Sequence, residues 1–89
     1  MQEDWLTIPM RFDLVAEIKS IETIAEGLGI RDRRRLNKQY GSSRWKKKKG
    51  ITVIVAENGV RARVELHWYE APGIGKRELK VKTVLEILG

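Results

Sequence analysis

The sequence has no cysteine and one histidine, His67, among its 89 residues. Neither a disulfide nor a thiolate metal ligand is therefore available, and one histidine is too few for a structural zinc site. No motif indicates a metal ion or an organic cofactor. No apolar run approaches the roughly 20 residues that span a bilayer, and the opening residues Met1–Asp4 are acidic rather than leader-like. These absences predict a cytoplasmic protein that does not engage the membrane.

Charge is distributed unevenly along the chain. Residues 1–30 carry six acids and two bases, residues 31–50 carry ten of the 18 cationic side chains and one acid, and residues 51–89 are almost balanced. Crowded like charges repel one another, and a polyanion relieves that repulsion. Because phosphates also release counterions on binding, the pattern favours nucleic acid as the partner. The alternatives are a solvated basic loop, an acidic protein or an anionic surface.

The N-terminal third has the spacing of an amphipathic helix. The stretch Trp5–Phe12 is apolar and contains Pro9, which predicts an edge strand or an irregular arm. Asp13 is a suitable N-cap, and two glycines supply a stop. Between them apolar residues recur every three or four positions: Leu14, Ile18, Ile21, Ala25 and Leu28. The spacing predicts a helix of about fifteen residues.

A second helix is predicted over Arg31–Tyr40, with Leu36 and Tyr40 on one side and Gly41 as its C-terminal stop. The two helices would form a hairpin over residues 12–41. Residues 42–50 then read as a basic connector with Trp45 embedded among cations.

From Ile51 the apolar period changes to two, which is typical of strands. Read as a two-residue turn, Asn58-Gly59 pairs Val53 with Val64. A third strand over Lys76–Thr83 places Leu66 opposite Val81 and His67 opposite Lys80. Residues 84–88 fit either a continued strand or a short helix. The expected fold is therefore α+β, one domain over residues 1–89, with the helical hairpin packed on one face of a three-stranded antiparallel meander (51–89).

These elements suggest two groups of nucleic-acid-binding residues. The first lies on the second helix and the connector: Arg31, Arg33, Arg34, Arg35, Lys38, Arg44, Trp45, Lys46, Lys47, Lys48 and Lys49. The second lies on the polar sheet face: Arg61, Arg63, His67, Tyr69, Lys80 and Lys82. A flat sheet suits RNA better than the major groove of DNA, and a chain this short buries so little core that a homodimer is also expected.

Two alternatives remain open at this stage. His67 and Tyr69 share a predicted face with cations, which suits a metal-independent ribonuclease that acts through the 2′-hydroxyl. A lone histidine is more often structural, however, for instance paired with Glu65. The second alternative is a protein-interaction subunit that docks an acidic partner.

The C-terminal half resembles a group of short basic bacterial proteins of uncharacterised function. The shared residues are His67-Trp68-Tyr69-Glu70-Ala71, then Gly73-Ile74-Gly75-Lys76, Glu78, Lys80 and Lys82. That resemblance implies no activity. In size and element order the chain is also similar to messenger-RNA interferase toxins of bacterial toxin–antitoxin pairs, which is an analogy of architecture only.

Overall fold

The structure is a computed structural model that describes residues 11–89. These residues form five strands and one α-helix. In chain order they are β1 (Phe12–Leu14), β2 (Lys19–Glu26), α1 (Arg33–Tyr40), β3 (Lys46–Ala56), β4 (Arg61–Ala71) and β5 (Gly75–Ile87). A short 3-10 turn at Gly27–Gly29 precedes α1. The predicted arm at Trp5–Phe12 lies largely outside the described residues.

All five strands belong to one antiparallel sheet. β3, β4 and β5 form a meander, while β1 and β2 both pair with the other edge of β3. β1 lies against the end of β3 and β2 against its beginning, so together they act as one interrupted edge strand. The sheet is therefore four strands wide.

The predicted α+β fold with an N-terminal helical hairpin is wrong, because residues 12–26 contain β1 and β2 instead of the first helix. The apolar spacing suited a helix, yet Ile18, Ile21 and Ile24 are β-branched and favour extended backbone. The strands also supply partners for the backbone groups along the free edge of β3. Two of these isoleucines remain about half exposed: Ile21 at 48% and Ile24 at 41%.

The second predicted helix is present, slightly shorter, as α1. It ends where Gly41 takes a φ of 107° and donates its backbone N–H to the Asn37 carbonyl at 3.0 Å. Such a positive φ suits glycine. The predicted connector over residues 42–50 is shorter than expected, because the lysine run belongs to β3.

The β3–β4 hairpin turns where Asn58-Gly59 predicted it, but with a different register. Ala56 donates its N–H to the Val60 carbonyl at 2.9 Å, which closes a three-residue loop with Gly59 at a φ of 86°. The extra loop residue shifts the pairing by one position, so Val53 lies opposite Arg63 rather than Val64. A one-residue shift exchanges the faces of a strand. β3 consequently buries Gly50, Thr52 and Ile54.

The β4–β5 pairing matches the prediction at its centre, where Leu66 lies opposite Val81 and His67 opposite Lys80. Irregularities on either side shift the register, and β5 continues as a strand to Ile87. The undecided residues 84–87 are therefore extended.

Buried side chains form one cluster on each face of the sheet. The core face carries the larger cluster: Ile54, Ala62, Val64, Leu66, Trp68 and Val81. The opposite face, here called the helix face, carries the smaller cluster: Ile30, Leu36, Trp45 and Ala71. Since Leu36 belongs to α1, this second cluster fastens the helix to one end of the sheet.

Candidate nucleic-acid interface

The helix is anchored to the sheet by buried aromatic packing. Trp45 is 1% exposed and Leu36 is fully buried against it. The Trp45 indole donates its Nε1–H to the Asn37 side-chain oxygen at 2.9 Å, which satisfies the polar group of a buried ring. Trp45, which the sequence placed among the candidate nucleic-acid-binding residues, is a core residue that positions α1.

An ion pair forms a second anchor between helix and sheet. The Arg35 guanidinium donates to both carboxylate oxygens of Glu78, at 2.7 and 3.0 Å, and the Tyr40 hydroxyl donates to the same carboxylate at 2.9 Å. The bond from Arg35, and then that from Tyr40, hold the pKa of Glu78 below its usual range. The same pair raises the pKa of Arg35. This arginine is thus occupied in holding the helix.

Glu78 keeps this position at a cost in backbone strain. Its φ is 57°, in the left-handed region that non-glycine residues rarely adopt. It lies in the β5 irregularity between Arg77, which pairs with Tyr69, and Lys80, which pairs with His67. The hydrogen bonds from Arg35 and Tyr40 to Glu78 offset this strain. Because of the irregularity, Arg77 and Lys80 lie opposite Tyr69 and His67, the residues on either side of Trp68.

Cations from three segments converge at the end of the sheet where α1 packs. This basic end comprises residues 22–49 and 65–80, which hold the second half of β2, α1, the start of β3, the end of β4 and the start of β5. Thirteen cationic and six acidic side chains there give a formal charge of +7, which exceeds the +6 of the whole chain. The net charge of the protein therefore resides at one end.

Strand alternation divides the lysine run between the two faces. Lys47 and Lys49 pair with Tyr69 and His67 on the helix face, whereas Lys46 pairs with Glu70 on the core face. A continuous run in the sequence therefore becomes two separate pairs of ammonium groups.

On the core face the lysines surround a carboxylate. Lys46 and Lys76 both lie opposite Glu70, one on each neighbouring strand. Lys48 approaches a Glu70 carboxylate oxygen at 3.4 Å, and the Trp68 indole donates to the other oxygen at 3.0 Å. The Trp68 bond, followed by the Lys48 charge, lowers the pKa of Glu70. Part of the positive charge on this face is thus neutralised locally.

On the helix face two rows of side chains cross three strands. The first row is Lys49, His67 and Lys80, and the second is Lys47, Tyr69 and Arg77. In the second row the Lys47 ammonium lies 5.9 Å from the centre of the Tyr69 ring. Arg77 instead lies 5.5 Å from the ring centre of Tyr40 on α1.

His67 and Tyr69, the predicted acid–base pair, share the helix face, but the Tyr69 hydroxyl is engaged in a hydrogen bond. Its hydroxyl donates to an Asp32 carboxylate oxygen at 2.8 Å. Burial, together with that carboxylate, raises the pKa of Tyr69 to about 12. His67 lies in the neighbouring row, with Nε2 at 2.7 Å from an oxygen of Glu65. Tyr69 is therefore protonated at neutral pH and contributes to the attachment of α1.

The other predicted cations are placed unequally. Arg31, Arg33, Arg34, Lys38 and Arg44 belong to the basic end, whereas Arg61 and Arg63 lie towards the other end of the sheet. Arg63 forms an ion pair with Glu86 there. Lys82 lies between the two ends, in the β5 irregularity opposite Glu65 and Leu66.

Lys76 and Arg77 of the basic end were missed by the sequence analysis. The sequence contained evidence for both residues. The loop at Pro72–Gly75 returns the chain against the end of β4, which places Lys76 and Arg77 beside it.

Within residues 11–89, no group of three or more potential metal ligands is assembled, and no helix has the length and apolarity to cross a membrane. Comparison with known proteins found no matching family model, no similar curated protein and no similar solved structure.

Proposed function

We propose that this protein binds nucleic acid through the phosphate backbone, RNA in preference to DNA, at the basic end. The observation that carries the proposal is the formal charge of +7 on residues 22–49 and 65–80. A cationic surface of this density attracts a polyanion and releases its condensed counterions on binding. The main contacts would come from the cations of α1 that do not anchor the helix.

The environment of four aromatic rings within residues 11–89 bears on the form of nucleic acid. Trp45 and Trp68 are each 1% exposed, and the hydroxyls of Tyr40 and Tyr69 are bonded to carboxylates. Proteins that bind unpaired strands usually stack bases on exposed aromatic rings. Here these four rings are buried or held by hydrogen bonds. We therefore favour phosphate contacts to a helical stem over the stacking of unpaired bases on aromatic rings.

The shape of the surface favours RNA. α1 has eight residues, a length of about 12 Å, and lies on the sheet through Leu36 and Tyr40. A short helix held in this way presents phosphate-binding side chains without entering a major groove. RNA stems present a wide, shallow groove that is recognised by shape and by backbone contacts.

A salt titration tests the proposal. Fluorescence anisotropy would measure the affinity for a labelled RNA stem-loop and for a DNA duplex of the same length, from about 50 to 200 mM salt. We expect tighter binding to RNA, and a slope of log affinity against log salt of about −0.7 to −0.9 per phosphate contact. Absence of salt-dependent binding at low ionic strength would overturn the proposal.

A matched pair of variants localises the surface. Arg31→Gln/Arg34→Gln/Lys38→Gln removes three exposed cations of the basic end, and Arg11→Gln/Arg61→Gln/Arg63→Gln removes three exposed cations at the other end. We expect the first triple variant to reduce the salt slope by about 2 to 3 and the second to change it much less. Equal effects would place the contact elsewhere.

The same samples separate the alternatives. RNA cleavage that stops when the 2′-hydroxyl is replaced by hydrogen would favour the ribonuclease. Failure to bind RNA, combined with salt-dependent binding to an acidic protein, would favour the interaction subunit.

A further inference from the structure

We infer that one cross-strand row, Lys49, His67 and Lys80, forms a specific phosphate-binding site within the basic end. This inference rests on the proposed function and adds to it the place where a backbone phosphate lies. The row is formed by three neighbouring strands, since Lys49 of β3 and Lys80 of β5 both lie opposite His67 of β4.

The pairing brings three nitrogen-bearing side chains to one point on the helix face. Strands in a sheet lie about 4.8 Å apart, so the β3 and β5 backbones are about 10 Å from each other. The four-carbon stems of Lys49 and Lys80 span that gap from both sides. Two ammonium groups can therefore reach a single phosphate above the imidazole.

His67 forms the floor of this site. Its side chain is only 19% exposed and is held by the contact between Nε2 and the Glu65 carboxylate at 2.7 Å. That contact orients the ring from one side. The other ring nitrogen, Nδ1, has no hydrogen-bond partner among residues 11–89, so no protein group in that range bonds it.

The nearest acid on the α1 side does not cancel the row. Asp32 accepts the Tyr69 hydroxyl at 2.8 Å and approaches the Arg35 guanidinium at 3.4 Å. The Tyr69 bond, with a further contribution from Arg35, lowers the pKa of Asp32. Its negative charge is therefore largely satisfied by groups other than Lys80.

On the opposite side, the row ends at Glu22 of β2, which lies across from Lys49. Glu22 is exposed, and no ion pair within 4.0 Å joins it to Lys49 in the described part of the chain. It weakens the site by a screened, long-range interaction rather than by occupying it.

The core face supplies an internal comparison. Lys46 and Lys76 flank Glu70 in the same way that Lys49 and Lys80 flank His67. The central residue there is a carboxylate bonded to Trp68 and Lys48. A phosphate placed over that row would meet a carboxylate at its centre. On the helix face the central group is an imidazole, and the carboxylate in contact with it, that of Glu65, lies beside the row and is bonded to His67 Nε2. The two pairs of lysines therefore carry equal charge but are expected to differ in their affinity for phosphate.

The test compares these two pairs in the full-length protein. Lys49→Gln/Lys80→Gln and Lys46→Gln/Lys76→Gln each remove two positive charges from the basic end. With the labelled RNA stem-loop we expect the first pair to reduce the salt slope by about 1.5 to 2, and the second by less than about half of that. Far-ultraviolet circular dichroism would check that both variants are folded.

A second readout follows from the single histidine. Since His67 supplies the only imidazole resonances of the chain, its ring signals in a proton–carbon NMR spectrum need no assignment. Addition of the RNA stem-loop should shift them saturably in the wild type and in Lys46→Gln/Lys76→Gln. If those signals do not move, or if both pairs weaken binding equally, the site is refuted while the proposed function stands. If the wild type binds no RNA, both are refuted.

Discussion

Tyr69 on β4 donates a 2.8 Å hydrogen bond to Asp32, the residue immediately before α1. This bond joins the sheet to the start of the helix that carries Arg33, Arg34 and Lys38. Together with the Arg35–Glu78 pair and the packing of Leu36 against Trp45, it holds the cationic helix on the sheet.

Removing the Tyr69 hydroxyl should destabilise the fold without removing charge from the basic end. For Tyr69→Phe we expect a loss of about 1 to 2 kcal/mol in the free energy of unfolding, since a hydrogen bond to a charged group is lost. Urea denaturation of Tyr69→Phe, Asp32→Ala and the double variant would measure the coupling. Purely additive effects would show that the two side chains do not interact.

Three hydrogen-bonded carboxylates predict a loss of stability in acid. The pKa values of Asp32, Glu70 and Glu78 are all lowered in the folded protein, first by the bonds from Tyr69, Trp68 and Arg35 respectively. The unfolded chain therefore takes up protons at higher pH than the folded one, and stability falls as pH drops below the unfolded values of 3.8 for Asp and 4.5 for Glu.

Urea denaturation between about pH 7 and about pH 3 would measure this loss. Glu78→Gln should reduce the dependence on pH while lowering stability at neutral pH. An unchanged pH profile in that variant would contradict a role for Glu78 in the acid response.

Gly50 is required because three neighbouring groups occupy the place of a side chain: the Ile18 side chain, the Lys19 carbonyl and the Trp68 ring. A Cβ at this position would lie 2.5 Å from Cγ2 of Ile18 and 3.2 Å from the Trp68 ring. We expect Gly50→Ala to cost about 1 to 3 kcal/mol by overpacking. Gly29→Ala is the control, since no atom lies within 4 Å of its added Cβ. Partial recovery in Gly50→Ala/Ile18→Ala, measured by thermal unfolding, would confirm the cause.

Removing the acid at the end of the phosphate row should strengthen binding. Glu22→Gln takes a negative charge from the position opposite Lys49, and Glu26→Gln takes one from the position opposite Lys46 on the core face. We expect a larger gain in RNA affinity for Glu22→Gln, about twofold to fivefold at low salt. Both variants remove one negative charge, but Glu22 is nearer to the proposed phosphate site, and the repulsion of a phosphate weakens with distance. A greater gain for Glu26→Gln would favour the core face.

The segment that resembles short basic bacterial proteins has a structural explanation for several of its residues. Trp68 is in the core, Glu70 binds the Trp68 indole, and Glu78 holds Arg35. Two further residues, His67 and Lys80, belong to the proposed phosphate site. The segment therefore combines positions that maintain the β4–β5 hairpin with two positions of the proposed phosphate site.

The β4–β5 region was accessible to sequence analysis because its signals are local. Apolar alternation along β4 identified the buried Val64, Leu66 and Trp68, and the pairing of His67 with Lys80 followed from the same pattern. The N-terminal third was not accessible in this way, since the spacing of Leu14, Ile18 and Ile21 fits a helix as well as a broken strand. The unpaired edge of β3 decides between them, and it is distant in sequence.

By itself, the sequence determined the hairpin positions, the eight-residue core of the second helix and the concentration of charge in residues 31–50, because turn chemistry, capping and composition act over a few residues. Only the folded chain shows the register of β3 and the division of the lysine run between the two faces of the sheet. The register depends on one extra residue in the loop at Gly59, which exchanges the faces of β3. The pairing joins strands that are distant in the sequence, and a local pattern does not contain the energies of such contacts.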